Sequence, residues 1–231
     1  MIQLPTKSKI AFVEYLLQNN LVIFEEYTSK TGRVTPYRLN RSNLYTSDHL
    51  DKVSKCLAER IQDMANIDYI STLFGYGARG GFLTTTTAIQ CLQYDMNLSC
   101  SFSDSTSQLQ DISGSSSTNN VVIMDDIIST GNQLKQIIST LQSQSYEVVG
   151  ALVILDKCEI SVDHYQKNKP LGEKMTSSQA IEFEFGIPVF SAITIYDILR
   201  FVEKSNKKSL QGIVDKDIVQ PMQSFVKQYC I

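Results

Sequence analysis

The stretch VVIMDDIISTGNQLKQ, residues 121–136, decides the fold. Its four apolar residues Val121–Met124 suit a strand buried on both faces, as in the middle of a parallel sheet. Two adjacent carboxylates, Asp125 and Asp126, close that strand. Ser129-Thr130-Gly131 forms a turn, and a helix is expected over 132–145. Ligands of open α/β sheets bind at the carboxyl ends of the strands. A helix start presents unpaired N–H groups to an anion. Gly131 lets the backbone come close to a phosphate, while Ser129, Thr130 and Asn132 add side-chain donors. Asp125 and Asp126 suit sugar hydroxyls or a hydrated Mg²⁺. The combination fits a sugar phosphate. A nucleotide P-loop would need G-x-x-x-x-G-K-[ST], which is absent. A D-x-D phosphatase would need a spacing that Asp-Asp does not supply.

Working outward, apolar spacing predicts helices over 7–20 and 46–65, the second with Thr46-Ser47-Asp48 as its start signal. A short segment at 21–24 and a Thr/Ser/Gly/Pro-rich connection lie between them. A strand is expected at 69–73, ending at the turn Phe74-Gly75-Tyr76-Gly77, and then a helix at 82–94. Residues 99–118 hold eleven Ser or Thr and read as a mobile loop. A strand at 148–155, a loop at 158–176, a helix at 177–185, a strand at 189–193, a helix at 195–204 and a terminal helix from about 214 complete the pattern. Strands alternating with helices give one α/β domain with a central, mostly parallel sheet flanked by helices.

The 231 residues carry a net charge of −3, which gives no support to a nucleic-acid scaffold. The distribution says more. No Lys, Arg or His falls between Arg79 and Lys135, and that gap holds Asp95, Asp104, Asp111, Asp125 and Asp126. An anion against this stretch must be met by backbone groups, hydroxyls or a metal ion. No apolar run reaches the roughly 20 residues that span a bilayer. The first 15 residues lack the apolar core of a signal peptide. Five cysteines at scattered spacings and only two His argue for free thiols in a cytoplasmic protein rather than a zinc site.

The 121–136 segment resembles the phosphoribosyl diphosphate (PRPP) motif of type I phosphoribosyltransferases. Four further stretches resemble the orotate branch of that family: YTSKTGRVTPYRLN (27–40), FGYGARGG (74–81), ALVILDKCE (151–159) and VFSAITIYDILRFV (189–202). The resemblance implies a type I phosphoribosyltransferase-like fold with an N-terminal hood over residues 1–45. It also implies transfer of ribose 5-phosphate from PRPP to orotate with Mg²⁺, in a homodimer. Carried onto this chain, Asp125 and Asp126 would hold the ribose hydroxyls, Asp125 also meeting the metal through water. Ser129, Thr130, Gly131, Asn132 and Gln133 would hold the 5-phosphate. Lys30 would stand near the base and the diphosphate, with Arg79 facing the diphosphate. Arg38, Leu39 and Lys157 would border the base. Apart from the resemblance, Arg33 reads only as a brace for its loop.

Three positions depart from the family pattern. The loop matching the family's basic lid, about Ser101–Ser117, contains no cation. Arg38 and Leu39 replace two aromatic residues, and Lys157 replaces the arginine that holds the orotate carboxylate. These departures keep two other functions open: the same chemistry on a different base, and a PRPP-binding regulator or impaired partner subunit.

Overall fold

The computed structural model describes residues 6–29, 32–66, 68–103, 119–162, 174–204 and 216–231. Lys30 and residues 104–118 of the expected lid lie outside them.

Five strands form the central sheet: β5 (Thr72–Tyr76), β6 (Ser99–Ser103), β7 (Asn120–Ile128), β8 (Glu147–Asp156) and β9 (Val189–Thr194), following four short strands described below. Their order is β6-β5-β7-β8-β9, and every pairing is parallel. The central strand alternates faces. Val122 and Met124 join one core cluster, together with Leu57 and Ile61, while Val121, Ile123 and Ile128 join another with Ile137, Ile138 and Leu141. Apolar residues on both faces are what a parallel sheet covered on both sides demands. The first cluster packs under α1 (Thr6–Gln18) and α3 (Ser47–Ala65), the second under α5 (Asn132–Ser143). The helices Ser177–Phe185 and Ile195–Lys204 occupy the expected spans, and Val219–Tyr229 follows a 3₁₀ turn at Lys216–Ile218.

The chain leaves β5 for one edge strand, then returns to β7 on the other side. That reversal of strand order makes the carboxyl ends of β5 and β7 a topological switch point, where a crevice opens. Ladder pairing between these two strands stops at Gly75 and Met124, while β7 runs on against β8 as far as Ile128 and Asp156. The expected strand end at Met124 is therefore four residues short. Asp125 and Asp126 lie within β7, on the side that β5 has already left.

Three other expectations are corrected. The first strand of the sheet is Thr72–Tyr76, not 69–73, because its FGY residues pair with β6 and β7. Gly75 is needed there for contact rather than for a turn: a Cβ on it would sit 2.2 Å from the Gly80 carbonyl carbon. The turn is made by Gly77 alone, at φ +61°. It sends the chain directly into α4 (Gly77–Cys91), so this helix begins five residues before the expected 82. Finally, the start of the Ser/Thr-rich segment is the edge strand β6. Ser101 and Ser103 point inward and Phe102 outward, at 53% exposure. This inverts the usual apolar-in pattern, so periodicity gave no strand signal.

The N-terminal residues make two antiparallel pairs, β1 (Val22–Ile23) with β4 (Arg38–Leu39) and β2 (Tyr27–Thr28) with β3 (Val34–Thr35), before the short α2 (Arg41–Leu44). These bring residues 27–29 and 38–42 to the crevice.

Candidate active site

A cavity of about 500 Å³ lies at the switch point. Its floor is the end of β7 and the turn into α5, with Asp125, Ser129, Thr130, Gly131 and Gln133. Arg79, in the first turn of α4, forms one wall. Arg38 and Leu39 come from β4, Arg41 from the start of α2, and Lys157 directly follows β8. Nearly every residue expected at the site is thus brought to one volume. Asn132 does not border it, Lys30 is not described, and Asp126 stands behind the wall.

The turn is built for close approach. Gly131 has φ +76°, and a Cβ there would lie 3.2 Å from Ser177 Cβ and 3.3 Å from Ile181 Cδ1. Ser177 Oγ donates to the Ser129 carbonyl at 2.5 Å, pinning the turn from the neighbouring helix. Gly131, Gln133 and Leu134 at the start of α5 line the cavity, and a helix start carries the unpaired N–H groups that anion binding requires.

The two carboxylates have different surroundings. Asp125 borders the cavity and accepts the Asp126 backbone N–H at 2.8 Å. Burial, and then the charge of Asp126, push its carboxyl well above the ordinary range. Asp126 is 2% exposed. Arg41 Nε donates to its Oδ2 at 2.6 Å and Arg41 Nη2 to its Oδ1 at 3.4 Å. Arg79 Nη1 stands 3.6 Å from the same Oδ2. Tyr45 donates its hydroxyl to Oδ2 at 3.5 Å. Burial and then Asp126 raise the Tyr45 phenol far enough to keep it a neutral donor.

On the opposite side, Lys157 is fully enclosed. Its Nζ lies 2.9 Å from Glu159 Oε1 and 5.1 Å from the Tyr37 ring centre, with the rings of Phe225 and Tyr27 slightly farther away. Arg33 Nη1 pairs with the other oxygen of Glu159 at 2.5 Å, and its Nη2 donates to the Ile160 carbonyl. Arg33 is therefore a brace, as expected. Burial alone would raise the Glu159 carboxyl, but Lys157 and Arg33 outweigh it and hold it below its ordinary value. Arg38 points to the rim, where it pairs with Glu25 at 2.7 Å.

Sequence reasoning missed Arg41, Tyr45, Glu159 and Ser177. Of these, Arg41 carried a usable signal: it follows Arg38-Leu39-Asn40 directly, in a stretch already assigned to the site.

Among the described residues, no group of three or more His, Cys, Asp or Glu could hold a metal. One carboxylate at the cavity fits Mg²⁺ only in the manner usual for that ion, held by a carboxylate, several waters and substrate oxygens. No helix among the described residues is long and apolar enough to cross a membrane, and the five cysteines form no disulfide.

No family model matches the chain. The orotate phosphoribosyltransferase of Marinobacter nauticus is 33% identical over 201 residues, covering 84% of this chain and 88% of that protein. The chain belongs to the orotate phosphoribosyltransferase family. That of Actinobacillus pleuropneumoniae is 29% identical over 202 residues, covering 85% and 89%. The crystal structure of the Francisella tularensis orotate phosphoribosyltransferase has the same fold. It matches with a TM-score of 0.74 at 20% identity, over 96% of this chain and all of that one. Membership of the orotate phosphoribosyltransferase family gives the cavity its context.

Proposed function

We propose that this chain transfers ribose 5-phosphate from PRPP to a ring nitrogen of orotate, giving orotidine 5′-phosphate and pyrophosphate. One observation carries the reading. The phosphate turn Ser129–Gly131, Asp125, and the cationic positions Arg79 and Lys157 border one cavity in a chain of the orotate family.

In the reaction the bond from ribose C1 to the diphosphate oxygen breaks, its electron pair leaving with pyrophosphate. The orotate nitrogen supplies the pair for the new C1–N bond and loses its proton. Positive charge builds on the ribose ring and negative charge on the leaving group, so placement and electrostatics dominate the catalysis. The N–H groups of the 129–133 turn hold the 5-phosphate and fix the ribose. Asp125, at the cavity, and Asp126, once its carboxylate is uncovered, take its hydroxyls and face the developing cation. Arg79 meets the diphosphate, and Lys30 acts between the diphosphate and the base. Lys157, carrying net positive charge together with Arg33 and Glu159, faces the orotate carboxylate, while Leu39 and Arg38 border the ring. Bound Mg²⁺ would neutralise diphosphate charge, with Asp125 meeting it through water.

The working form is a cytoplasmic homodimer. Phe82, Ile89 and Phe102, large apolar side chains exposed on α4 and β6, support a subunit contact there. Light scattering should give twice the chain mass.

A base panel tests the substrate. Orotate should be consumed with PRPP and Mg²⁺, while uracil, adenine and hypoxanthine are not. Turnover of another base without turnover of orotate would overturn the assignment. PRPP binding without turnover of any base would favour a regulator.

A further inference from the structure

Arg41 lines the cavity together with Arg79. Among the described residues, two arginine–carboxylate pairs, Arg33–Glu159 and Arg41–Asp126, tie the N-terminal region to the sheet and its ends, and they differ in kind. Arg33 and Glu159 are both buried, at 5% and 1% exposure, as befits a permanent brace. Arg41 is 47% exposed while its partner Asp126 is 2% exposed. Its guanidinium binds the carboxylate through Nε and Nη2, and the residue lines the cavity.

Charge makes the same point. Residues 80–134 contain no cation, although they supply the floor and much of the surroundings of this cavity. Of the described cations that line it, Arg38 is engaged by Glu25 and Lys157 by Glu159. Arg41 and Arg79 remain, and both converge on Asp126 Oδ2, at 2.6 and 3.6 Å. In the resting protein Asp126 offsets part of their charge. An incoming diphosphate meets positive charge as arginine leaves carboxylate. A guanidinium suits that exchange because its planar fork matches a carboxylate and a phosphate equally well.

We infer that Arg41 is a diphosphate-binding residue, held on Asp126 in the resting protein and transferred to the diphosphate when the ribose takes Asp126. The inference rests on the proposed reading of the cavity as a PRPP site. It makes the cation for the leaving group a product of the N-terminal region, at the start of α2, supplied by the same chain.

Calorimetric titration of the full chain tests it, with Mg²⁺-pyrophosphate and ribose 5-phosphate as separate probes. Arg41→Ala should weaken pyrophosphate binding by about 10- to 100-fold, the range of one charge-assisted contact. Ribose 5-phosphate binding should not weaken, because Asp126 loses a competitor. Arg41→Lys should recover part of the pyrophosphate loss, and Lys55→Ala, which removes an exposed charge paired with Asp51, should change neither. Thermal melts accompany each variant, and Arg41→Gln and Arg41→Lys decide the matter if the alanine variant does not fold. Unchanged pyrophosphate affinity, or equal weakening for both probes, would make Arg41 only a support for Asp126 and overturn the inference. Absence of wild-type turnover with orotate would instead sink the proposed function, while the pyrophosphate arm still decides Arg41.

Discussion

Lys157 Nζ stands 2.9 Å from Glu159 Oε1, and both side chains are only 1% exposed. Arg33 holds the other carboxylate oxygen, so one anion serves two buried cations. The trio ties the β3 end of the N-terminal ladders to the end of β8, beside the cavity. Removing the anion from such a cluster leaves uncompensated buried charge, at a cost of about 3–5 kcal/mol. Glu159→Gln should therefore lose stability of that order in chemical denaturation. A loss under about 1 kcal/mol would show that the cluster does not hold the ladders in place.

The same group sets an acid limit. Its folded carboxyl titrates below the ordinary value of 4.5. A depressed pKa contributes stability that is complete above the unfolded value and lost as pH falls through the folded one. The stability difference between wild type and Glu159→Gln should thus be constant near neutrality and shrink below about pH 4.5. Denaturation curves at several pH values measure it. A difference that grows on acidification would contradict the assignment.

Gly75 tests the junction of β5 and α4. An alanine Cβ would lie 2.2 Å from the Gly80 carbonyl carbon and 2.6 Å from the Gly81 nitrogen, both backbone atoms that cannot rotate away. Gly75→Ala should cost about 3 kcal/mol, at the upper end for overpacking. Turnover should fall as well, because Arg79 rides on that first helical turn. Retention of both would mean the two backbones part easily.

Asp126→Asn should weaken PRPP binding by about 10-fold or more, since a carboxylate that accepts charged and hydroxyl donors is replaced by a neutral amide. Calorimetry with PRPP and Mg²⁺ gives the value. Unchanged affinity would remove the ribose role.

The site was legible where chemistry is local in sequence. Residues 121–136 hold strand, acids, turn and helix start in order, and three of the four further stretches of the orotate type line the same cavity. The fold was legible wherever burial is two-sided and apolar. β6 escaped because its serines face inward and its phenylalanine outward. β5 was shifted because Gly75 and Gly77 both read as turn residues, although only Gly77 takes the left-handed conformation. Arg41–Asp126 and Arg33–Glu159 are separated by 85 and 126 residues, and no local pattern announces such pairs.

The central claim is tested most directly by product stoichiometry. Purified protein is mixed with PRPP, Mg²⁺ and orotate, orotate loss is followed by absorbance, and products are identified by mass spectrometry. The account predicts one orotidine 5′-phosphate and one pyrophosphate for each orotate consumed, with no reaction when PRPP is omitted. Release of pyrophosphate without a nucleotide product, or no consumption of orotate at any PRPP concentration, would contradict it.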